Sequence, residues 1–483
     1  MAETLVPLAA DFPAPNEDAW RALVAKTIGG ADVETLISHT DEGLPIEALY
    51  AAAMQAPALT LGDRDPDRPW DVRCATAHPD PKRANADILA DLEGGAASAL
   101  VRIDPTGAAG AAIGSAEAMA ALTDGVILEL APLALDAGFL GPKAADWLAV
   151  AAKSAPNALL ELHMDPISAL ARDGVSPGPI ESHLIAAATV GARLADTYPK
   201  ASLMLASGQV VHEAGGGEAQ ELGFMAASAA AYARALMRAG LGADAAFARI
   251  TLGLAVDSDY FVSIAKLRAA RVLWAKLTSV SGAPMPARIE ARSSRRMLTT
   301  LDPWTNMLRL TAAAFAGAVG GADALVIGCF TDAIGSPSAL ARRQSRNAQL
   351  VLMEEAALGR VADPSHGAGF IEAMTDQLAR AGWAAFREIE AQGGIVAALA
   401  SGALAAQAAQ TLAHRRAAIA AGEAKIIGVT VFRNADTTPA PTEAVNGAAF
   451  AVEAPSARVP GPDTVVQALN PIRLSEPFEG ARS

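Results

Sequence analysis

The chain has 483 residues, 52% of them apolar and only 19% charged, so it can bury a large core, and wholesale disorder is excluded. Its net charge of −14 repels phosphate backbones and anionic lipid, which argues against nucleic acid and membrane surfaces as partners. Its two cysteines, Cys74 and Cys329, form no CxxC and read as small buried hydrophobes in a reducing compartment.

The start, MAETLVPLAADFPAP, lacks the basic and apolar regions of a signal peptide, so a soluble cytoplasmic protein is expected. Residues 1–65 are proline-punctuated, with a short helical pattern at 17–28, and read as an N-terminal arm for subunit contacts.

From residue 66 to 424 the chain repeats one pattern, a short apolar run followed by an Ala-rich amphipathic stretch. The runs fall at 70–77, 99–104, 125–130, 158–163, 202–207, 249–254, 287–292 and 325–330. Helical patterns lie between them, among them 117–122, 223–240, 260–277 and 303–319. Strands alternating with helices imply parallel pairing by right-handed crossovers. Eight such units predict an α/β fold of the (β/α)8 TIM-barrel kind, with a doubly wound open sheet as the rival.

On the 260–277 helix, Phe261, Ile264, Leu267, Val272 and Leu273 are expected to face the barrel. Lys266, Arg268, Arg271 and Lys276 are expected to fall elsewhere. The apolar tract 312–330 is split by Gly320 and Gly321 and contains Asp323, so it reads as a helix end followed by a buried strand. Residues 425–483, with ADTTPAP and EAPSARVPGPDT, read as a C-terminal linker segment.

A barrel of this kind places its site at the C-terminal ends of the strands. The polar residues expected there are Cys74, Thr76, His78, Asp104, Thr106, His163, Asp165, Ser207, Gln209 and His212. Asp257, Asp259, Arg288, Glu290, Thr331 and Asp332 follow later in the chain. A metal site from His163, Asp165, His212 and Glu213 is conceivable, but the spacing matches no metal motif, and capping explains the aspartates equally well. GAAGAAIG at 107–114 stands in the right place for a phosphate-cradling loop, yet it is not GxGxxG and lacks GK[ST], so a flexible loop is the preferred reading.

Longer stretches carry a resemblance. IAKLRAARVLWAKL (264–277), the segments 302–325 and 341–394, RPWDVR (68–73) and LNPIRLSEPFE (469–479) resemble the methylmalonyl-CoA mutase family. The resemblance implies a barrel that holds an acyl-CoA, with a flavodoxin-like domain bringing adenosylcobalamin to its mouth. It also implies that some bacterial members are heterodimers whose small subunit keeps the barrel but is inert.

The departures from the family pattern point to that small, non-catalytic subunit. Active members read RPWTIRQYAGF where this chain has RPWDVRCATAH, which puts Ala75 at the position of the active-site tyrosine. SGYHMQEAG becomes SGQVVHEAG, so Gln209 replaces a tyrosine, Val210 replaces the histidine that binds the thioester carbonyl, and His212 falls two residues late as a bystander. The substrate-carboxylate arginine falls at Asp173, or at Arg172 with a one-residue slip. RTHSQTSGWSLT becomes RIEARSSRRMLT, where Glu290, Arg295 and Arg296 are expected to crowd the pocket.

Arg68, Arg73, His163 and Arg288 are left as remnants of a substrate pocket. No Asp-x-His triplet, the family's cobalt-ligand motif, occurs, so the cobalamin-binding domain is expected to be absent and the cofactor to belong to the complex. The implied partner is the large subunit of the mutase. An active barrel of a split acyl-CoA mutase, with cobalamin on a separate chain, and a non-catalytic acyl-CoA-binding barrel are the alternatives.

Overall fold

Eight short strands close into one parallel barrel: β1 (Asp71–Thr76), β2 (Ser98–Arg102), β3 (Leu133–Asp136), β4 (Leu160–Met164), β5 (Ser202–Ser207), β6 (Ile250–Val256), β7 (Ile289–Ser293) and β8 (Ala324–Val326). Each strand pairs in parallel with the next, and β8 returns to β1 with Ala324 opposite Asp71, so the barrel has no free edge. The computed structural model describes residues 16–59, 65, 67–434 and 438–480. The first fifteen residues, part of the N-terminal arm's junction and the beginning of ADTTPAP lie outside the described residues.

The outer helices are α1 (Pro81–Glu93), α2 (Ala116–Leu122), α3 (Gly141–Ala151), α4 (Ile180–Thr197), α5 (Glu218–Arg238), α6 (Tyr260–Val280), α7 (Thr305–Val319) and α8 (Ala339–Leu350). Two further helices, α9 (Gly369–Ala391) and α10 (Ala403–Ala420), add a layer outside α5 and α6. The start of α1 shows the local logic: the Asp80 carboxylate accepts from Lys82 N, and Pro81 sits at the first helical position, where its missing N–H costs nothing. No helix among the described residues is long and apolar enough to cross a membrane. The tract 312–330 is the end of α7, a glycine stop and β8.

Two expectations are corrected. The run at 125–130 is not the third strand. It is a turn that exposes Ile127 and Leu130, and β3 begins at Leu133. Pro132, just before it, carries no N–H and suits the entry to a strand.

The outward face of α6 is also not where hydropathy put it. Phe261 and Val272 are exposed, at 43% and 42%, while Lys266, Arg268 and Arg271 are buried. Helix α9 packs across the outside of α6 and α5 and covers Arg268, while Lys266 and Arg271 turn toward α5 and toward the starts of β7 and β8. Enclosed on both sides, α6 buries its cations against partners: Lys266 against Glu221 of α5 at 2.6 Å, Arg268 against Glu372 of α9 at 2.6 Å, and Arg271 against Asp323 at 2.9 Å. Gly223 and Gly382 allow the close crossing of α5 and α9, since a Cβ on either would stand within 2.6 to 2.8 Å of the facing helix.

The C-terminal segment runs back over the barrel. Thr464–Val465 pair antiparallel with Val175–Ser176, and the N–H groups of Leu469, Ile472 and Leu474 donate to Ala171, Glu213 and Arg296. The 107–114 stretch is not a flexible loop: Ala111, Ala112 and Ile113 are buried, and Ala111 exchanges backbone hydrogen bonds with Arg102 and Asp104 at 2.8 and 3.0 Å. A Cβ on Gly107 would overlap the Gly447 carbonyl, and one on Gly114 would meet that of Glu453. These glycines admit another stretch of chain where a phosphate was considered.

Candidate functional site: the barrel mouth and its axis

Inward-pointing side chains come from alternate strand residues, and here they are mostly charged. Arg73 of β1, Glu161 and His163 of β4, and Glu290 and Arg292 of β7 all point to the axis. Arg73 is fully buried. Its Nη1 and Nη2 donate to both oxygens of Glu161 at 2.7 Å, its Nη1 also donates to Glu290, and its Nε donates to Ser98 at 2.9 Å. Arg288 donates to Glu161 from the far end of β7. Toward the mouth, Arg292 donates to Glu290 at 2.7 Å and to Asp136 of β3 at 3.3 Å.

The charges therefore form a connected chain running along the barrel, from Arg288 through Glu161, Arg73, Glu290 and Arg292 to Asp136. Beside it, Leu100, Ala134 and Val326 form a separate small apolar cluster.

The electrostatics follow from this enclosure. Burial alone would raise the Glu290 carboxyl, but Arg292, His163 and Arg73 pull it down to about 2. Arg288 and Arg73 likewise outweigh burial and hold Glu161 well below the usual carboxylate range. Glu161, His163 and Glu290 come close enough to share a metal ion. The guanidinium groups of Arg73, Arg288 and Arg292 already occupy that space, so the donor set does not suit a cation.

Above the circuit, at the C-terminal ends of the strands, lies a cavity of about 930 Å3. Its walls include His163, Asp165, Gln209, Val210, Glu213 and Arg295, and the C-terminal segment closes one side with Leu469, Pro471 and Ile472. His163 stands in the left-handed region with φ 44°, a conformation that costs about 1–3 kcal/mol in a non-glycine residue. Asp165 caps the following short helix through Ser168 N at 3.0 Å and accepts from the Tyr232 hydroxyl; burial raises it to about 6.

The residues singled out from the sequence divide between mouth and interior. Gln209 and Val210 line the cavity, as do Arg172 and Asp173, which pair with each other at 2.7 Å. Ala75 is exposed at the end of β1 but is not part of the cavity wall, and its carbonyl accepts from Arg342. Of the four remnant residues only His163 lines the cavity: Arg73 and Arg288 belong to the axial circuit, and Arg68 lies 3.6 Å from Asp71. Glu290 and Arg296, expected to crowd the pocket, lie beneath and beside it.

His212 is fully buried outside the cavity. Its Nε2 is 2.8 Å from Ser294 Oγ and its Nδ1 3.3 Å from Glu221, which also accepts from Lys266 and from Ala255 N, each at 2.6 Å. Burial, with the nearby Arg296 and Lys266, lowers it to about 4, so it is neutral at pH 7. His212, Glu218 and Asp257 also approach metal-binding distance, but Arg296 bonds both carboxylates at 3.2 Å.

The axial circuit as a whole escaped the sequence reading. Its signal was present in RIEAR, where Arg288, Glu290 and Arg292 alternate and so share one face of a strand.

A closed parallel barrel with helices around it and a cavity at the C-terminal ends of its strands defines a (β/α)8 protein. The particular family follows from comparison: residues 66–456 match the family model described as methylmalonyl-CoA mutase, and the chain belongs to that family. It is 38% identical over 471 residues to a methylmalonyl-CoA mutase small subunit of Streptomyces virginiae, covering 91% of this chain and 75% of that one. A probable methylmalonyl-CoA mutase small subunit of Mycobacterium tuberculosis (strain ATCC 25618 / H37Rv) is 38% identical over 421 residues, covering 81% and 66%. The methylmalonyl-CoA mutase small subunit of Propionibacterium freudenreichii subsp. shermanii is 32% identical over 479 residues, covering 91% and 72%.

Proposed function

We propose that this chain is the small subunit of an adenosylcobalamin-dependent methylmalonyl-CoA mutase, that it performs no turnover itself, and that it stabilises a catalytic large subunit. The observation that carries this reading is the filled axis. The Arg73–Glu161–Glu290 network occupies the barrel axis, along which the family resemblance implies that the pantetheine of an acyl-CoA is threaded. Opening it would leave buried charges unpaired, at a cost of several kcal/mol.

The mouth supports the same reading. Val210 offers no hydrogen-bond donor to a thioester oxygen, and Ala75 offers no aromatic wall. A lost donor at such a position lowers a rate by about 10²–10³. The sequence contains no Asp-x-His triplet, so the residues present do not fit a role in holding cobalt, and the cofactor is assigned to the complex.

The N-terminal arm suits the partner role. Its helix Glu17–Thr27 has no buried residue and exposes Leu23 at 64%. An isolated helix of eleven residues is marginal in water, so it gains stability by docking on another surface.

A second reading is favoured by the cavity, which is large enough for a small ligand. In that reading the barrel is a non-catalytic binding module for the acyl end of a CoA ester or a related anion.

The test is co-expression with a full-length large subunit. A stable 1:1 complex is expected, with no mutase turnover by this chain when it is supplied with adenosylcobalamin and a separate cobalamin-binding protein. Turnover under the second condition overturns the proposal.

A further inference from the structure

The three glycines of the HEAGGGE stretch lie outside the mouth cavity and serve a different purpose. Gly217 is the residue before α5, and a Cβ there would overlap the carboxyl group of Glu42. Glu42 comes from the arm, at the turn between the paired segments Ser38–His39 and Pro45–Ile46. Its two oxygens accept from Ala219 N at 2.8 Å and Gln220 N at 3.3 Å. The arm thus supplies an N-terminal cap of α5, across 177 residues of sequence.

The surroundings of this cap are unusual for a carboxylate. Glu218, the first residue of α5, stands beside it and is held ionised by Arg415 of α10 and by Arg296. Arg415 also pairs with Asp41 at 2.9 Å. Asp257 and Asp259, at the start of α6, add two more acidic groups to the same enclosure. The available cations are thus engaged with carboxylates other than Glu42. The amides of Ala219 and Gln220 and the charge of Arg415 favour the ionised Glu42, and Glu218 opposes it.

We propose that Glu42 is a proton-sensitive latch that fastens the N-terminal arm to the amino end of α5 and loosens as the carboxyl ionises beside Glu218. Burial, then Glu218, raises the Glu42 carboxyl to about 7, against an ordinary value near 4.5. The sign follows from proton uptake. The docked arm holds its proton more tightly than the released arm, so docking is strongest below about pH 4.5 and weakens as pH rises toward 7. The protonated carboxyl still accepts from the α5 amides, so the contact survives at low pH. The latch concerns this chain alone and holds whatever the arm touches.

Hydrogen exchange of the isolated chain from pH 5 to 8 tests it, with protection factors corrected for intrinsic exchange and the barrel amides as internal reference. Protection of residues 38–46 is expected to fall on the order of a hundredfold across that range. Glu42→Gln, which keeps the acceptor without the charge, should hold protection constant across the series. Gly217→Ala, which evicts the side chain, should remove protection at every pH. A flat wild-type profile, or a Glu42→Gln profile that follows the wild type, overturns the proposal. Because no partner is present, a negative result leaves the subunit assignment untouched.

Discussion

Replacing Arg73 with methionine tests whether charge, not apolar packing, holds the barrel axis together. The substitution keeps much of the side chain's volume but removes a fully buried cation from Glu161, Glu290 and Ser98. Breaking one partner out of a buried ion pair costs about 3–5 kcal/mol, because the remaining charge is left without compensation. Arg288 still reaches Glu161 and Arg292 still reaches Glu290, so the loss should stay within that range.

Urea unfolding followed by circular dichroism measures the loss. Adding Glu290→Gln to the variant should recover part of it, since one orphaned charge disappears. The pH profile provides an independent reading. Glu290 sits near 2 in the fold, below its unfolded value near 4.5, so its stabilisation is complete above about pH 4.5 and lost as pH falls toward 2. The span corresponds to about 3 kcal/mol at 1.36 kcal/mol per pH unit, and Arg73→Met should shrink it. A loss below about 1 kcal/mol, or further destabilisation when Glu290→Gln is added, would refute the circuit as described.

Other outcomes follow from the same geometry. The double variant Ala75→Tyr/Val210→His should gain no mutase turnover in a reconstituted assay, because the axis beneath stays filled; measurable product formation would contradict this. His212 should titrate near 4 in a proton NMR series, and, because the unfolded imidazole binds its proton near 6.5, its contribution to stability should be lost as pH falls from about 6.5 to 4. Gly223→Val, which forces a side chain into the α5–α9 crossing, should lower stability by about 1–3 kcal/mol in thermal unfolding, whereas Gly480→Ala, with open space around it and a negative φ, should not show this overpacking loss.

The alternation of strands and helices made the barrel legible, because a closed parallel sheet buries its strands on both faces and each writes a short apolar run. The third strand was misplaced because the turn at 126–131 carries more apolar residues than Leu133–Asp136 itself. Periodicity also failed on α6, since an outer helix arriving about a hundred residues later covers Arg268, and Glu221 on the neighbouring α5 draws Lys266 inside. Gln209 and Val210, singled out by family pattern, line the cavity. Arg73 and Arg288, singled out in the same way, lie among carboxylates that retention of a residue type does not announce. Glu42 carries no local signal, because its partner amides lie 177 and 178 residues away.

Filling a barrel and running chemistry in it make opposing demands on the same inward positions. A barrel interior must be packed, by side chains or by a ligand. Here arginines and carboxylates fill it, and buried charges are tolerable only when each has partners. Once Arg73 and Arg292 are engaged by Glu161, Glu290 and Asp136, they cannot also bind an incoming carboxylate or phosphate without abandoning those partners. The ligand would have to offset that loss, the opening of the axis and its own desolvation. On the proposed reading, the same contacts that fill the barrel axis oppose its occupation by an acyl-CoA. It follows that restoring mouth residues alone is insufficient, and that a variant regaining acyl-CoA affinity should carry its first changes at Glu161 and Glu290.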